Sequence, residues 1–304
     1  MTEESFSIAH LSDPHLSLPE PGDWRQLCNK RVLGLMSWRR RRRFAHQPGV
    51  LDALVADLHA RNPDHTVVTG DLTQIGLPGE FAQARAWLER LGEPRAVSVI
   101  PGNHDAYVRE RWDSTFDLWR EYLASDGADS WSAGDYPSLR VRGPVAIVGI
   151  NTAFPADVLR AVGRVGKSQR GRLAGLLREL GGQDLFRLAL VHHAPVPGVD
   201  PWRKRLLDGR ETSQVLAEGK AHLVLHGHDH RTRWSSIASG PDIPVVAVPS
   251  ASFGLAVPDK LARYHVYHLR RPAGRWEVEV EVRGLRDGSF GELERRVLTI
   301  PDYA

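Results

Sequence analysis

The chain has 304 residues, 41% hydrophobic and 25% charged, the composition of an ordinary globular protein long enough to bury a substantial core. The formal charge is only +3 although Lys and Arg number 40, and the pI near 9.2 reflects an arginine-rich composition with five lysines, not a polymer-binding footprint. The single cysteine, Cys28, excludes an internal disulfide framework and fits a reducing compartment. The start, MTEESFSIAHLSD, is acidic where a secretory leader is basic and lacks an apolar stretch. No apolar run reaches the roughly eighteen residues of a membrane span, so a soluble, cytoplasmic protein is expected.

In chain order, short apolar and β-branched runs alternate with segments of helical period, the pattern of an α/β fold. Strands are expected at 6–11 (FSIAHL), 65–69 (HTVVT), 96–100 (AVSVI), 145–150 (VAIVGI), 187–191 (RLALV), 222–225 (HLVL) and 244–248 (PVVAV). Leu51, Leu54, Val55 and Leu58 mark a helix, as do Phe81, Ala84, Leu88 and Leu91, and again Leu173, Leu176, Leu177 and Leu180. A longer helix is expected over 109–125, with Trp112, Phe116, Trp119 and Leu123 on its apolar face. Strict alternation at 262–270 and 275–283 around RPAG predicts a C-terminal β-hairpin at about 262–283. The expected architecture is a two-sheet mixed β-sandwich flanked by helices, in a single domain spanning 1–304.

Five of the strands end in polar clusters. These are Asp13 and His15 in DPH; Asp71 in GD; Asn103, His104 and Asp105 in GNHD; His192 and His193 in HH; and His226, His228, Asp229 and His230 in HGHDH. In α/β sheets the crevice beyond the carboxyl ends of the strands is where ligands bind, so clusters distant in sequence meet there. Turn chemistry accounts for Asp and Asn but has no need of histidine. Mixed nitrogen and oxygen donors without thiolate suit divalent transition metals better than a Zn–Cys or an all-oxygen Ca²⁺ site.

The ordered set DPH, GD, GNHD, HH and GHDH, from residue 13 to 230, resembles the calcineurin-like metallophosphoesterase superfamily, including its bacterial class III cyclic-nucleotide phosphodiesterase branch. The resemblance implies a four-layer αββα fold and two divalent metal ions, Mn, Fe or Zn foremost. It implies that Asp13, His15 and His230 hold one ion, that Asn103, His192 and His228 hold the other, and that Asp71 bridges them. It further implies that His104 contacts the phosphate and protonates the leaving oxygen, with Asp105 supporting that turn. His193 and Arg231 are candidates for substrate contact. The implied activity is hydrolysis of a small phosphodiester such as a cyclic nucleotide, with phospholipid, lipid-linked phosphate or phosphomonoester hydrolysis as alternatives. Two such cations clamp the attacking and leaving oxygens of an in-line displacement and generate hydroxide near neutral pH.

Two further features stand outside this pattern. GRVGKS at 163–168 lacks the strand and the first glycine of a phosphate-binding loop and reads as a helix start. The segment at about 20–47 is an insertion beside the metal crevice. It interleaves Leu27, Val32, Leu33, Leu35, Met36 and Trp38 with basic residues and ends in Arg39, Arg40, Arg41, Arg42 and Arg43. A packed helix with a solvated arginine edge, a lid carrying specificity, and an anionic-membrane contact are its three readings; nucleic acid is the least expected partner, and oligomeric state is not legible.

Overall fold

A computed structural model describes residues 5–18, 24–257, 259–286 and 288–303, so residues 20–23 of the expected insertion lie outside the described residues. One six-stranded sheet runs β12 (Ser289–Leu298), β11 (Glu277–Arg286), β10 (Arg263–Arg270), β1 (Phe6–Leu11), β2 (His65–Val68), β3 (Val97–Val99). The other runs β4 (Ser138–Arg142), β5 (Val145–Ile150), β6 (Phe186–Val191), β7 (Leu223–His226), β9 (Ile243–Ala247), β8 (Arg233–Ile237). Strands β1, β2 and β3 are parallel, as are β5, β6, β7 and β9; the remaining pairings are antiparallel.

Period-two alternation explains the layers. In β5, Val145 and Ile147 join the core between the sheets, whereas Ala146, Val148 and Ile150 join a second core beneath the helices. Phe186, Leu188 and Leu190 of β6 and Leu223 and Leu225 of β7 repeat the inward set, with Ala189, Val191 and Val224 on the other face. Of the five longer helices, α1 is Arg31–Ser37, α2 Pro48–Arg61, α3 Pro78–Leu91, α4 Lys167–Gly181 and α5 Gly209–Glu218. The expected stripes of α2 and α3 are buried in the first core, and Leu173, Leu177 and Leu180 of α4 in the second. Proline at the first turn of α2 and of α3 suits a position whose N–H has no helical partner. The two-sheet, helix-flanked sandwich expected from the sequence is therefore present. Among the described residues no helix is long and apolar enough to cross a membrane.

One expectation needs correction, and further strands extend the expected set. The segment 109–125 is not one helix but short turns at Trp112–Ser114 and Phe116–Trp119 followed by Arg120–Leu123. Thr115, at φ −136° and ψ −97°, breaks the helical path, and its hydroxyl donates to the Arg111 carbonyl at 2.7 Å. The aromatic spacing reflects packing, with Phe116 edge-on to Phe81 at 5.1 Å and Trp119 stacked on it at 4.6 Å. The expected C-terminal hairpin is present as β10 paired with β11, and β12, which pairs with β11, extends it to a three-stranded meander. Edge strands β4 and β8 were also unforeseen: each has one protected flank and carries polar residues that mask the alternation.

Several histidines lie in the cores, remote from the strand-end cluster. His65 bonds the Ser98 hydroxyl at 2.8 Å, His222 stacks on Phe186 at 5.0 Å, and His265 stacks on Trp234 at 5.4 Å. Burial, with nearby arginines, brings each of the three down to about 3. A histidine whose folded value is depressed favours the folded state above its unfolded value near 6.5, and that contribution is lost as pH falls below it. Urea denaturation between pH 8 and 5 is expected to give a plateau and then a decline, each buried imidazole contributing about 2 kcal/mol of loss at pH 5. His265→Asn should flatten the decline by about one proton; a wild-type profile level from pH 7 to 5 would contradict this.

Candidate active site

Because β1, β2, β3, β6 and β7 run parallel within their sheets, their carboxyl ends open on one edge, and the five polar clusters meet there. The loops interlock through backbone bonds. The Asp13 N–H donates to the Gly70 carbonyl at 3.0 Å, His15 to Asp71 at 3.1 Å, and Gly227 to His192 at 3.2 Å. Side chains add to this: the Asp71 carboxylate accepts from the His104 N–H at 2.7 Å, and the Asp13 carboxylate from the His228 N–H at 3.0 Å. Of the nine non-glycine residues with left-handed φ among the described residues, five are Asp13, His15, Asp71, His228 and His230. Such backbone is uncommon outside glycine and gathers where a site fixes side-chain direction against local preference. Gly102 and Gly227 permit the close approach, since a side chain at either would run into the Asp71 carboxylate or into Ser12 and Asp13.

The donors form two groups around one carboxylate. On one side, His230 Nε2 lies 3.1 Å from both His15 Nε2 and Asp13 Oδ1. On the other, His192 Nε2 lies 3.1 Å from Asn103 Oδ1, and the His192 and His228 rings are 5.1 Å apart. Asp71 Oδ2 reaches both, at 3.8 Å from His15 Nε2 and 3.4 Å from His192 Nε2. Outer nitrogens are anchored on carbonyls: His15 Nδ1 to Thr73 at 3.1 Å, His192 Nδ1 to Thr69 at 2.6 Å, His228 Nε2 to Lys204 at 3.0 Å. Each anchor fixes the tautomer that turns a lone pair inward. Inward lone pairs beside two carboxylates repel one another unless a cation lies between them, so this donor set fits divalent metal ions. Two of the donor groupings able to hold an ion are Asp13–Asp71–His192 and His15–Asp71–His104.

Protonation follows the same logic. Burial keeps His15 and His228 well below the usual imidazole value, hence neutral and ready to ligate. Burial opposes ionisation of Asp71, yet the His192, His104 and His15 imidazoles hold its carboxyl below the usual range. Burial likewise opposes charge on His192, but Asp71 lifts it to about 9, so a proton competes with a cation for this pair.

The remaining expected residues are placed as follows. His104 Nδ1 donates to the Gln74 carbonyl at 2.6 Å, and the Arg42 guanidinium donates to the same carbonyl at 3.2 Å. Burial, with Arg42, brings His104 down to about 4. Asp105 faces away from the donors: its carboxylate accepts from the backbone N–H groups of Asp71, Gly102 and Thr73, each at 2.9 Å. His193 is enclosed, bonded to the Thr152 hydroxyl at 2.7 Å with its ring 4.3 Å from that of His228. Arg231 is exposed one residue beyond His230. His226 is buried outside the donor groups, and Asp229 pairs with Arg233.

Sequence reasoning missed His46 and Arg42. His46 stands with its ring 4.6 Å from that of His15, held by the Ser252 hydroxyl at 2.9 Å, and could complete a group with His15 and His230. Both belong to the segment at about 20–47, and no local spacing reports that it folds back onto the strand ends.

Asp105 thus knits the second and third motif loops together. Asp105→Asn turns an amide N–H₂ toward backbone donors, and a loss of about 3 kcal/mol in stability with weakened metal retention is expected. Unchanged stability with lost turnover would instead put Asp105 in contact with substrate.

The comparisons with known proteins agree with this geometry. The family model for calcineurin-like phosphoesterases matches residues 6–232. A probable cyclic nucleotide phosphodiesterase from Synechococcus sp. is 28% identical over 232 residues, 75% of this chain and 80% of the relative. A dimetal phosphatase from Danio rerio shares the fold at a TM-score of 0.66 and 14% identity, covering 97% of this chain and 99% of its own. A purple acid phosphatase from yellow lupin (Lupinus luteus) seeds shares it at 0.59 and 13% identity, over 97% of this chain and 54% of its own. With the family model matched over residues 6–232 and histidine and aspartate donors clustered at its strand ends, the chain belongs to the calcineurin-like phosphoesterase family and is a metal-dependent phosphoric ester hydrolase.

Proposed function

We propose that the chain is a dinuclear phosphodiesterase, one domain acting on a small phosphodiester such as a cyclic nucleotide. The observation that carries this is the division of the donors into two groups sharing Asp71. Asp13, His15 and His230 hold one ion, Asn103, His192 and His228 the other, and Asp71 bridges. Bound there, the ions supply Lewis acidity toward the phosphate and a hydroxide-generating charge. Nitrogen and oxygen donors without thiolate suit Mn, Fe or Zn.

The chain's own residues do the rest. His104, oriented through its Nδ1–H on the Gln74 carbonyl, turns Nε2 toward the phosphate and delivers a proton to the leaving oxygen. Burial lowers its pKa to about 4 and leaves Nε2 unprotonated, and the anionic substrate, by raising it, lets Nε2 take up from solvent the proton that it passes to the leaving oxygen. Asp105 acts through the turn that carries His104, His193 braces His228, and exposed Arg231 meets substrate at the rim. Diester preference is supported by the name of the Synechococcus relative. A cytoplasmic setting suits a chain whose single cysteine is exposed and unpaired.

A second reading, hydrolysis of a phospholipid or lipid-linked phosphate at a membrane surface, is favoured by one observation. Val32, Leu33, Met36 and Phe44 are exposed beside exposed Arg39, Arg40, Arg41 and Arg43.

Metal-loaded enzyme is expected to hydrolyse bis(p-nitrophenyl) phosphate and 3′,5′-cyclic AMP faster than p-nitrophenyl phosphate; inactivity on all three overturns the proposal. His104→Ala should cut kcat about 100-fold or more while elemental analysis still finds two ions per chain. Asp71→Asn should lose both ions. If anionic liposomes float the protein and cyclic AMP is not turned over, the lipid reading replaces the first.

A further inference from the structure

The insertion builds a wall of the active site. Its helix α1 is anchored by buried Arg31, whose guanidinium donates to the Ile75 carbonyl at 3.0 Å and to Glu110 at 2.7 Å. Gly34 is pressed against Ile75 and Tyr107, where a side chain would not fit. Leu35 joins Ile75 and Leu77 in a small apolar cluster of its own. Opposite lies the loop 156–161, and Lys30 spans the gap, its ammonium 2.5 Å from the Ala156 carbonyl and 4.8 Å above the Tyr107 ring. Asn103 and His104 form the inner end of the pocket so enclosed, which has a volume of about 460 Å³.

The lining combines two chemistries. Lys30, Arg42, Arg160, Arg203 and Lys204 contribute positive charge, against a single acid, Asp157, 3.7 Å from Arg160. The Nε atoms of Arg42 and Arg160 are closed off from solvent, so these guanidiniums meet a ligand through their outer nitrogens, Arg160 on a side chain that is 37% exposed. Leu33, Val158 and Leu159 supply an aliphatic face. Leu159 is 80% exposed and holds a left-handed backbone at φ +65°, an uncommon conformation for a leucine displayed to solvent.

A scissile phosphate by itself needs neither this volume nor an aliphatic wall. We propose that the pocket takes the half of the substrate beyond the scissile phosphate, and that this half carries a second anionic group on an aliphatic body. The inference rests on the phosphodiesterase reading and narrows its substrate class. Arg42 and Arg160 meet the second anion, and Leu33, Val158 and Leu159 cover the aliphatic part.

Three probes of increasing completeness test this as competitive inhibitors of bis(p-nitrophenyl) phosphate hydrolysis by the metal-loaded enzyme: methylphosphonate, hexylphosphonate and hexane-1,6-bisphosphonate. The inhibition constant is expected to fall about 10-fold from the first to the second, by burial of methylenes, and about 10-fold again to the third, by the added charge pair. Leu159→Asp should remove the first gain and Arg160→Gln the second, with the methylphosphonate constant and the circular dichroism spectrum unchanged in both. Equal constants for the first two probes, or for the last two, overturn the proposal. Absence of hydrolysis by the wild type is the failure of the phosphodiesterase reading instead, and calorimetric titration of the same three ligands into the metal-loaded protein then decides the pocket by itself.

Discussion

Asp71 is buried, its carboxylate standing between the imidazoles of His15 and His192, and the strand-end loops are arranged around it. A buried carboxylate is tolerable only when charge and hydrogen bonds compensate its lost hydration. Here the compensation comes from the backbone N–H of His104 at one oxygen and from imidazoles at the other. Beneath it, Asp105 is a second buried carboxylate, satisfied by three backbone N–H groups. Burial and the neighbouring Asp71 charge push the Asp105 carboxyl up to about 7, against the backbone N–H groups that favour its charged form. The left-handed backbone at Asp71, and at Asp13, His15, His228 and His230, belongs to the same bargain between local geometry and the site.

Much of this was legible in the sequence, because the relevant order is local. A strand buried on both faces reads as an apolar run, a parallel strand brings its carboxyl end to a common edge, and the residues just past that end are chemically conspicuous. Asp13, Asp71, Asn103, His192, His228 and His230 are found by that reasoning, at the positions where the structure gathers them. What was not legible depends on tertiary contact. Edge strand β12, with SFGELERRVL, carries alternating charge that pairs across the meander, as Arg295 does with Glu279 at 2.5 Å. Trp112, Phe116 and Trp119 have helical spacing because they pack on Phe81, not because they lie on one helix.

The arginine run shows the same limit at the scale of one side chain. Arg39, Arg40, Arg41 and Arg43 are exposed, the solvated edge that a charge run usually is. Arg42 turns inward, bonding the Gly34 and Gln74 carbonyls with its guanidinium 3.1 Å from His104 Nδ1. One residue of the five therefore reaches the strand-end histidines, and His46, with its ring 4.6 Å from that of His15, does the same.

The central claim, that two ions share Asp71, is tested most directly by anomalous diffraction from crystals of the manganese-loaded protein. Two anomalous peaks about 3.5 to 4 Å apart, with the Asp71 carboxylate between them, are the expected result. A single peak at saturating manganese, or two peaks that Asp71 does not bridge, would contradict the account.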